Sequence, residues 1–312
     1  VVTSEGKLVG VDGRTGRAAW VLTLPGGAPT RRERAGLVQA GLAAGDYLAP
    51  PGPEIAVSTD ASDVYVVTTR PFRVAWHERV GSGSAAAPLT FSGAPDGKAP
   101  VFIGDSRGDI WALQRTGTAF TPVALRAVAV RRAEGLVAAL RSIENVSDGT
   151  HWLLACPSTN DPLAGGGERA VNESGVRWRH APGGTIWATP AVADLNLDHQ
   201  SEIIVASIEL PDERTATGLV SVLTRDGHTL RQLRLPAAVE AAPIVADVNG
   251  DGRLELLVAD QAGVLHSYAV GRFGRVEWGV AGGDSHNTNN ATNAFCWGQV
   301  SADRKWNWRP RW

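Results

Sequence analysis

The most specific spacing in this chain lies in Asp247-Val-Asn249-Gly-Asp251-Gly-Arg253-Leu-Glu255, where oxygen-bearing side chains fall at positions 1, 3, 5 and 9. Alternate side chains converge when a loop turns tightly. Gly252, directly after the third of them, adopts a left-handed backbone without steric penalty. Calcium takes roughly six to eight hard oxygens, so this loop suits it, with the carbonyl of Arg253 filling position 7. Magnesium retains several waters and suits a loop so rich in carboxylates less well. An EF-hand is excluded. Its Glu at position 12 would fall on Val258, and both flanks read as strands rather than helices.

A second copy keeps the acids as Asp194, Asn196, Asp198 and Glu202, with Gln200 at position 7. His199 stands where the glycine was, which makes a left-handed backbone costlier and predicts weaker binding. Two further copies keep the shape without the ligands. One has Ser92, Ala94, Asp96, Lys98 and Pro100 at the five positions, and the other has Asn145, Ser147, Asp148 and Trp152 in a shortened loop. The competing explanation is that all these acids only close solvated turns on their own backbone. The expectation is one or two structural Ca2+ ions.

The loops sit inside a repeat. Pro190–Ser207 aligns without a gap on Pro243–Asp260 and on Pro88–Asp105, and Arg141–Cys156 aligns after one deletion. Each copy runs on into a strand, a glycine turn and another strand, as in FIGDSRGDIWAL (102–113) and LVADQAGVLHSYAV (257–270). AVSTDASDVYVV (56–67) and VVTSEGKLVGVD (1–12) match these, and Trp20, Trp76, Trp178 and Trp278 follow at similar offsets. Six units of about 50 residues result, a period that fits four-stranded β-propeller blades. The expected fold is an all-β propeller over residues 1–293. An insertion is expected at about 27–52 and a separate tail at 294–312, which holds four Trp and four basic residues.

Composition agrees with this. Gly (36) and Pro (18) are abundant among 312 residues, as turns between short strands require. A formal net charge of −2 excludes the basic footprint of a nucleic-acid binder, and no apolar run is long enough for a transmembrane helix. Met is absent, no signal peptide is present, and the first unit shows only its closing strands; a processed product or a fragment is expected. Cys156 and Cys296 fit no zinc spacing, and two separate thiols are expected before a disulfide.

Gly10, Asp12, Thr15, Gly16 and Trp20 resemble the AxDxxTGxxxW docking motif of quinoprotein-like propellers, with Gly in place of the first Ala. DVNGDGRLELLVAD (247–260) resembles the FG-GAP/VCBS repeat, and WGVAGGDSHNTNN (278–290) the closing segment of bacterial propellers of that kind. The resemblance implies calcium in the loop between two strands and each motif Trp packed between neighbouring blades. It also implies ring closure near Trp278, and a place that is extracellular, at the cell surface or periplasmic. The implied role is non-catalytic: binding or scaffolding for a protein or carbohydrate ligand on one propeller face. The alternative is an enzyme on the same scaffold, of quinoprotein or polysaccharide-active type. No GxSxG, HExxH or P-loop pattern appears, and no adjacent cysteine pair supports the quinoprotein form. Arg107-Gly108-Asp109 spells an adhesion tripeptide but falls in a hairpin turn, where Gly108 matches Gly6 and Gly263.

Overall fold

The computed structural model describes residues 3, 6–25, 41–45, 48, 54–59, 61–82, 89–90, 101–105, 107–116, 119–124, 136–145, 150–158, 168–172, 175–181, 184–212, 215–272 and 276–278. All regular elements among them are strands. β1 (Lys7–Val11) and β2 (Ala18–Thr23) pair with each other. Antiparallel meanders of four then follow in chain order. The first is β3 (Gly41–Gly45), β4 (Glu54–Ser58), β5 (Asp63–Thr69) and β6 (Phe72–Arg79). Next come β7 (Leu89–Thr90), β8 (Val101–Gly104), β9 (Ile110–Thr116) and β10 (Ala119–Ala124), and then β11 (Leu136–Asn145), β12 (Thr150–Ser158), β13 (Glu168–Asn172) and β14 (Gly175–His180). The last full meander is β15 (Ala191–Ala193), β16 (Glu202–Glu209), β17 (Thr217–Leu223) and β18 (Thr229–Leu235). β19 (Ile244–Ala246), β20 (Arg253–Ala259) and β21 (Leu265–Arg272) form a three-stranded sheet, while β22 (Val276–Trp278) joins β15. The fold class is the expected one: four-stranded antiparallel blades.

One expected boundary is corrected. Within 27–52, Gly41–Gly45 is not insertion but the opening strand β3, paired along its length with β4. GLAAG lacks the β-branched residues that mark strands, so its state is set by its partner, EIAVS, and by burial. Residues 136–140 likewise belong to a strand, β11.

The blades hold together because their middle strands are apolar on both faces. In β5, Val64 and Val66 pack with Val101, Ile103 and Leu113 of the following blade, while Tyr65 and Val67 pack with Leu8 and Leu24 of the preceding unit. Successive strand side chains point to opposite faces, so five consecutive buried positions in β5 demand a neighbour on each side. β16 repeats the pattern with six. Burying each such side chain stabilises by about 1.5–3 kcal/mol.

The motif tryptophans fill the same seams. Trp20 stacks on Phe72 of the next blade, with ring centroids 4.0 Å apart, and lies across Gly10, where any Cβ would collide with the indole. With the indole in this place, position 10 has no room for a side chain. Trp178 donates from its Nε1 to the Arg225 carbonyl at 2.9 Å and covers Gly227 of the next blade. Trp76 packs into the cluster shared with β8 and β9.

One five-residue turn recurs: Thr3–Lys7, Thr59–Asp63, Asp105–Asp109, Thr224–His228 and Asp260–Val264. In each, the first N–H donates to the fifth carbonyl, and the fourth residue has a left-handed backbone and donates to the first carbonyl. The first side chain accepts the fifth N–H through Thr Oγ1 or Asp Oδ1, at 3.2, 3.1, 2.9, 3.1 and 3.0 Å. Gly108 is thus required by turn geometry, as its match to Gly6 and Gly263 indicated. The fourth residue is glycine except at Ser62, whose φ is 74°. Cys156, in β12, is buried. Its possible partner Cys296, the tail at 294–312 and Asp96 lie outside the described residues.

A left-handed non-glycine residue costs about 1 kcal/mol. Ser62→Gly is therefore expected to raise the unfolding free energy by about that amount, partly offset by the entropy of the unfolded glycine. Urea denaturation measures it as a higher midpoint at unchanged slope.

Candidate functional site

Both nine-residue loops join the first strand of a sheet to its second. Asp194–Glu202 links β15 to β16 and Asp247–Glu255 links β19 to β20, with Ala193 paired to Glu202 and Ala246 to Glu255. Every internal hydrogen bond of the first loop recurs in the second, which adds one, from the Asp251 amide to Asp247 Oδ1 at 3.2 Å. Asp194 accepts the Leu197 and His199 amides at 2.7 and 3.1 Å, and Asp247 accepts those of Gly250 and Gly252 at the same two distances. The Oδ1 atoms of Asn196 and Asn249 accept the amides of Asp198 and Asp251, both at 2.8 Å. Those aspartates accept the Gln200 and Arg253 amides at 2.7 and 2.9 Å. Glu202 and Glu255 reach back to the Leu195 and Val248 amides at 2.8 and 3.0 Å. Two sequences with different intervening residues thus share one local fold, dictated by the four oxygen-bearing side chains.

At the centre of each loop two carboxylates meet on one amide. Asn196 Nδ2 donates to Asp198 Oδ2 and Glu202 Oε1, both at 3.1 Å, and Asn249 Nδ2 donates to Asp251 Oδ2 and Glu255 Oε1 at 3.2 and 3.4 Å. The amide N–H bonds offset like charge there, the role a cation would take. The donors are all hard oxygens, which is the chemistry calcium requires. Among the described residues no three His, Cys, Asp or Glu side chains converge on one point that could hold a metal. Asp194 and Asp247 are instead engaged with backbone amides. Each loop therefore presents a two-carboxylate centre with a third acid that braces the backbone.

The loops differ in strain and in charge. Gly250 and Gly252 take the left-handed backbone freely, whereas Leu197 and His199 occupy the matching positions with φ of 66° each. The cost anticipated at His199 is present, and Leu197 doubles it. Burial pushes the Glu202 carboxyl up to about 7, helped by the negative charges of Asp198 and Asp194.

A further copy went unread in the sequence. Asp46 and Glu54 stand eight apart, as Asp194 and Glu202 do, and IAVS follows as a strand. Buried Glu54 accepts the Leu48 amide through Oε2 at 3.2 Å, six residues back where Glu202 and Glu255 reach back seven. Pro50 and Gly52 stand where the other loops carry Asp and Gln or Arg, so the bracing Glu persists without the ligands. The expectation of an insertion at about 27–52 hid the pair.

The turn aspartates were also missed as buried polar centres. Asp105 accepts the Arg107 and Asp109 amides on Oδ1 and the Trp111 Nε1 at 3.1 Å on Oδ2. Asp260 does the same with Ala262, Val264 and the His266 ring at 2.8 Å, and these bonds hold its carboxyl below the usual range. An Asp followed six residues later by an N–H-bearing aromatic is the signal.

Two outcomes follow from the strained loop. Leu197→Gly with His199→Gly is expected to stabilise the protein by about 1–2 kcal/mol in chelator, since both side chains are exposed and only strain is removed. The folded state also holds a proton on Glu202 that the unfolded chain loses above its ordinary value of 4.5. Metal-free stability is therefore expected to fall as pH rises from 4.5 to about 7. Glu202→Gln should flatten that slope in denaturation curves taken across the range.

No family model and no curated protein matches the sequence. Solved structures do match. A chain in a crystal structure of the mitotic checkpoint complex aligns with 86% of this chain over 69% of its own length, with TM-score 0.53 and 12% identity. BamB from Moraxella catarrhalis aligns with 86% over 80%, at TM-score 0.43 and 15% identity. BBS1N, crystallised with ARL6DN, aligns with 78% over 81%, at 0.41 and 12%. At such identities the likeness is one of fold, and the fold is a β-propeller.

Proposed function

We propose that this chain is a calcium-stabilised, non-catalytic β-propeller of the FG-GAP/VCBS and quinoprotein-like kind. It works outside the cytoplasm as a binding or scaffolding module for a protein or glycan ligand. The observation that carries the calcium reading is that the whole Asp194–Glu202 network recurs in the Asp247–Glu255 loop. A loop selected only to turn has many solutions, whereas these two converge on the same carboxylate pair around the same amide. When bound, calcium would supply charge neutralisation. Asp198, Glu202, Asp251 and Glu255 would hold it through carboxylate oxygens, and Asn196 and Asn249 through the amide. Asp194 and Asp247 would keep the backbone in place, and the carbonyls of Gln200 and Arg253 would complete the set.

The binding role follows from how the acids are used. Asp105, Asp260, Glu54, Asp194 and Asp247 all serve backbone amides, so these carboxylates brace loops. Variation is left to the exposed residues of the loops, as in scaffolds that carry ligand contacts on connections between rigid strands. Proteins of this fold serve protein assembly among the solved neighbours, which include a checkpoint complex and a complex with ARL6DN.

Calorimetric titration of chelator-treated protein with Ca2+ tests the metal. One or two sites are expected, and at a hundredfold excess over Kd each should stabilise by about 2.7 kcal/mol, read as a rise in Tm. Asp251→Ala should remove the Asp247–Glu255 site, and Asp198→Ala the weaker one. No heat and no Tm change would end the calcium reading, and turnover on a polysaccharide panel or with added quinone would end the non-catalytic one.

A further inference from the structure

β22 lies at an edge where its own repeat does not put it. Trp278 is the counterpart of Trp20, Trp76 and Trp178, which lie on β2, β6 and β14, each the last strand of its sheet and paired with the strand before it in the chain. The matching partner of β22 is β21. In the structure β22 instead adds to β15, on the edge opposite β16, and Val276 is buried in the cluster between the two sheets. Among the described residues β21 pairs with β20 alone.

The register of β22 is that of a last strand all the same. Gly10 pairs with Trp20 and Val11 with Ala18; Val66 pairs with Trp76 and Val67 with Val74; Ala170 pairs with Trp178 and Val171 with Val176. Each skips the residue before the Trp as a bulge. β22 keeps this bulge on β15, with Val192 opposite Trp278 and Ala193 opposite Val276. The bulge thus travels with the Trp-bearing strand whichever partner it meets.

Both edges are within reach. Seven residues lie between Tyr268 of β21 and Val276, room for a tight turn flanked by paired residues. The end of β21 also abuts the end of β15, because a Cβ at Gly271 would collide with the Leu195 carbonyl. Where a recurrent turn leads into the strand that faces such a Trp, the residue seven after the first of the turn is its partner: Gly10 after Thr3 and Val66 after Thr59. Counting likewise from Asp260 assigns Ser267 to Trp278 and, across the bulge, Tyr268 to Val276.

We propose that Val276–Trp278 is an exchangeable strand with two homes, the edge of β15 that it occupies here and the outer edge of β21 that its repeat position specifies. The β15 pairing is only three residues long and broken by a bulge, so little backbone bonding is lost on leaving it. One strand cannot cover both edges at once.

A triple variant reads the partition directly. Ala193→Cys, Tyr268→Cys and Val276→Cys are combined in a Cys296→Ser background, with Cys156 left buried. The protein is oxidised when dilute and its disulfide peptides are quantified by mass spectrometry. Both the 193–276 and the 268–276 disulfides are expected within one chain, in amounts within about a hundredfold of each other, as a gap of a few kcal/mol allows. A single disulfide of either kind, or only disulfides between chains, would overturn the proposal. If the triple variant does not fold, hydrogen exchange on the unmodified chain decides. Intermediate protection at both Ala193 and the outward amides of β21 is expected, and full protection of one with none of the other would overturn it.

Discussion

The structure depends on strands that are apolar on both faces. A meander such as β3–β6 would leave either Val64 and Val66 or Tyr65 and Val67 in water if it stood alone, and no rotation of the sheet relieves this. Stability is therefore a property of neighbouring sheets taken together, as in other repeat architectures. The indoles at the seams follow from the same condition. A flat, wide ring such as Trp20 on Phe72 covers the residual gap between two twisted sheets and lies across Gly10.

Covering both faces with apolar atoms leaves the strand ends to carry the polar burden. Each chain reversal exposes amides that the sheets cannot satisfy, and buried unsatisfied amides are costly. Aspartate, threonine and glutamate side chains take up these donors at fixed offsets. Asp105 and Asp260 close turns, and Glu54, Glu202 and Glu255 clamp the loop before their own strand. The candidate metal loops are an elaboration of that bracing: where Asn and a third acid are added, the surplus negative charge has no backbone donor left to meet it.

Much of this was legible in the residues. The alignment of 190–207 with 243–260 located two equivalent loops, and the glycine spacing located the turns. Gly252 and His199 both signalled left-handed backbone, and both have it. The parts that were not legible share a physical cause. β3 is made of Gly, Ala and Leu, so nothing local marks it, and only its pairing with β4 makes it a strand. The Asp46–Glu54 pair lost its intermediate ligands and with them the pattern. Ser62 and Leu197 adopt conformations that their own preferences oppose, because the side-chain oxygens around them fix the turn. β22 reads as the partner of β21, and its position on β15 depends on tertiary proximity that no spacing encodes.

The recurrent turn leaves an evolutionary freedom at the tips of the hairpins. Its geometry asks for an oxygen on the first residue and a left-handed fourth residue, and leaves the second and third side chains unspecified. Those positions read Ser-Glu, Asp-Ala, Ser-Arg, Arg-Asp and Gln-Ala in the five turns, with no common size, charge or polarity. The rim can therefore diverge rapidly between descendants without disturbing the sheets beneath it, and one such scaffold can acquire unrelated surfaces by drift at a few positions per blade.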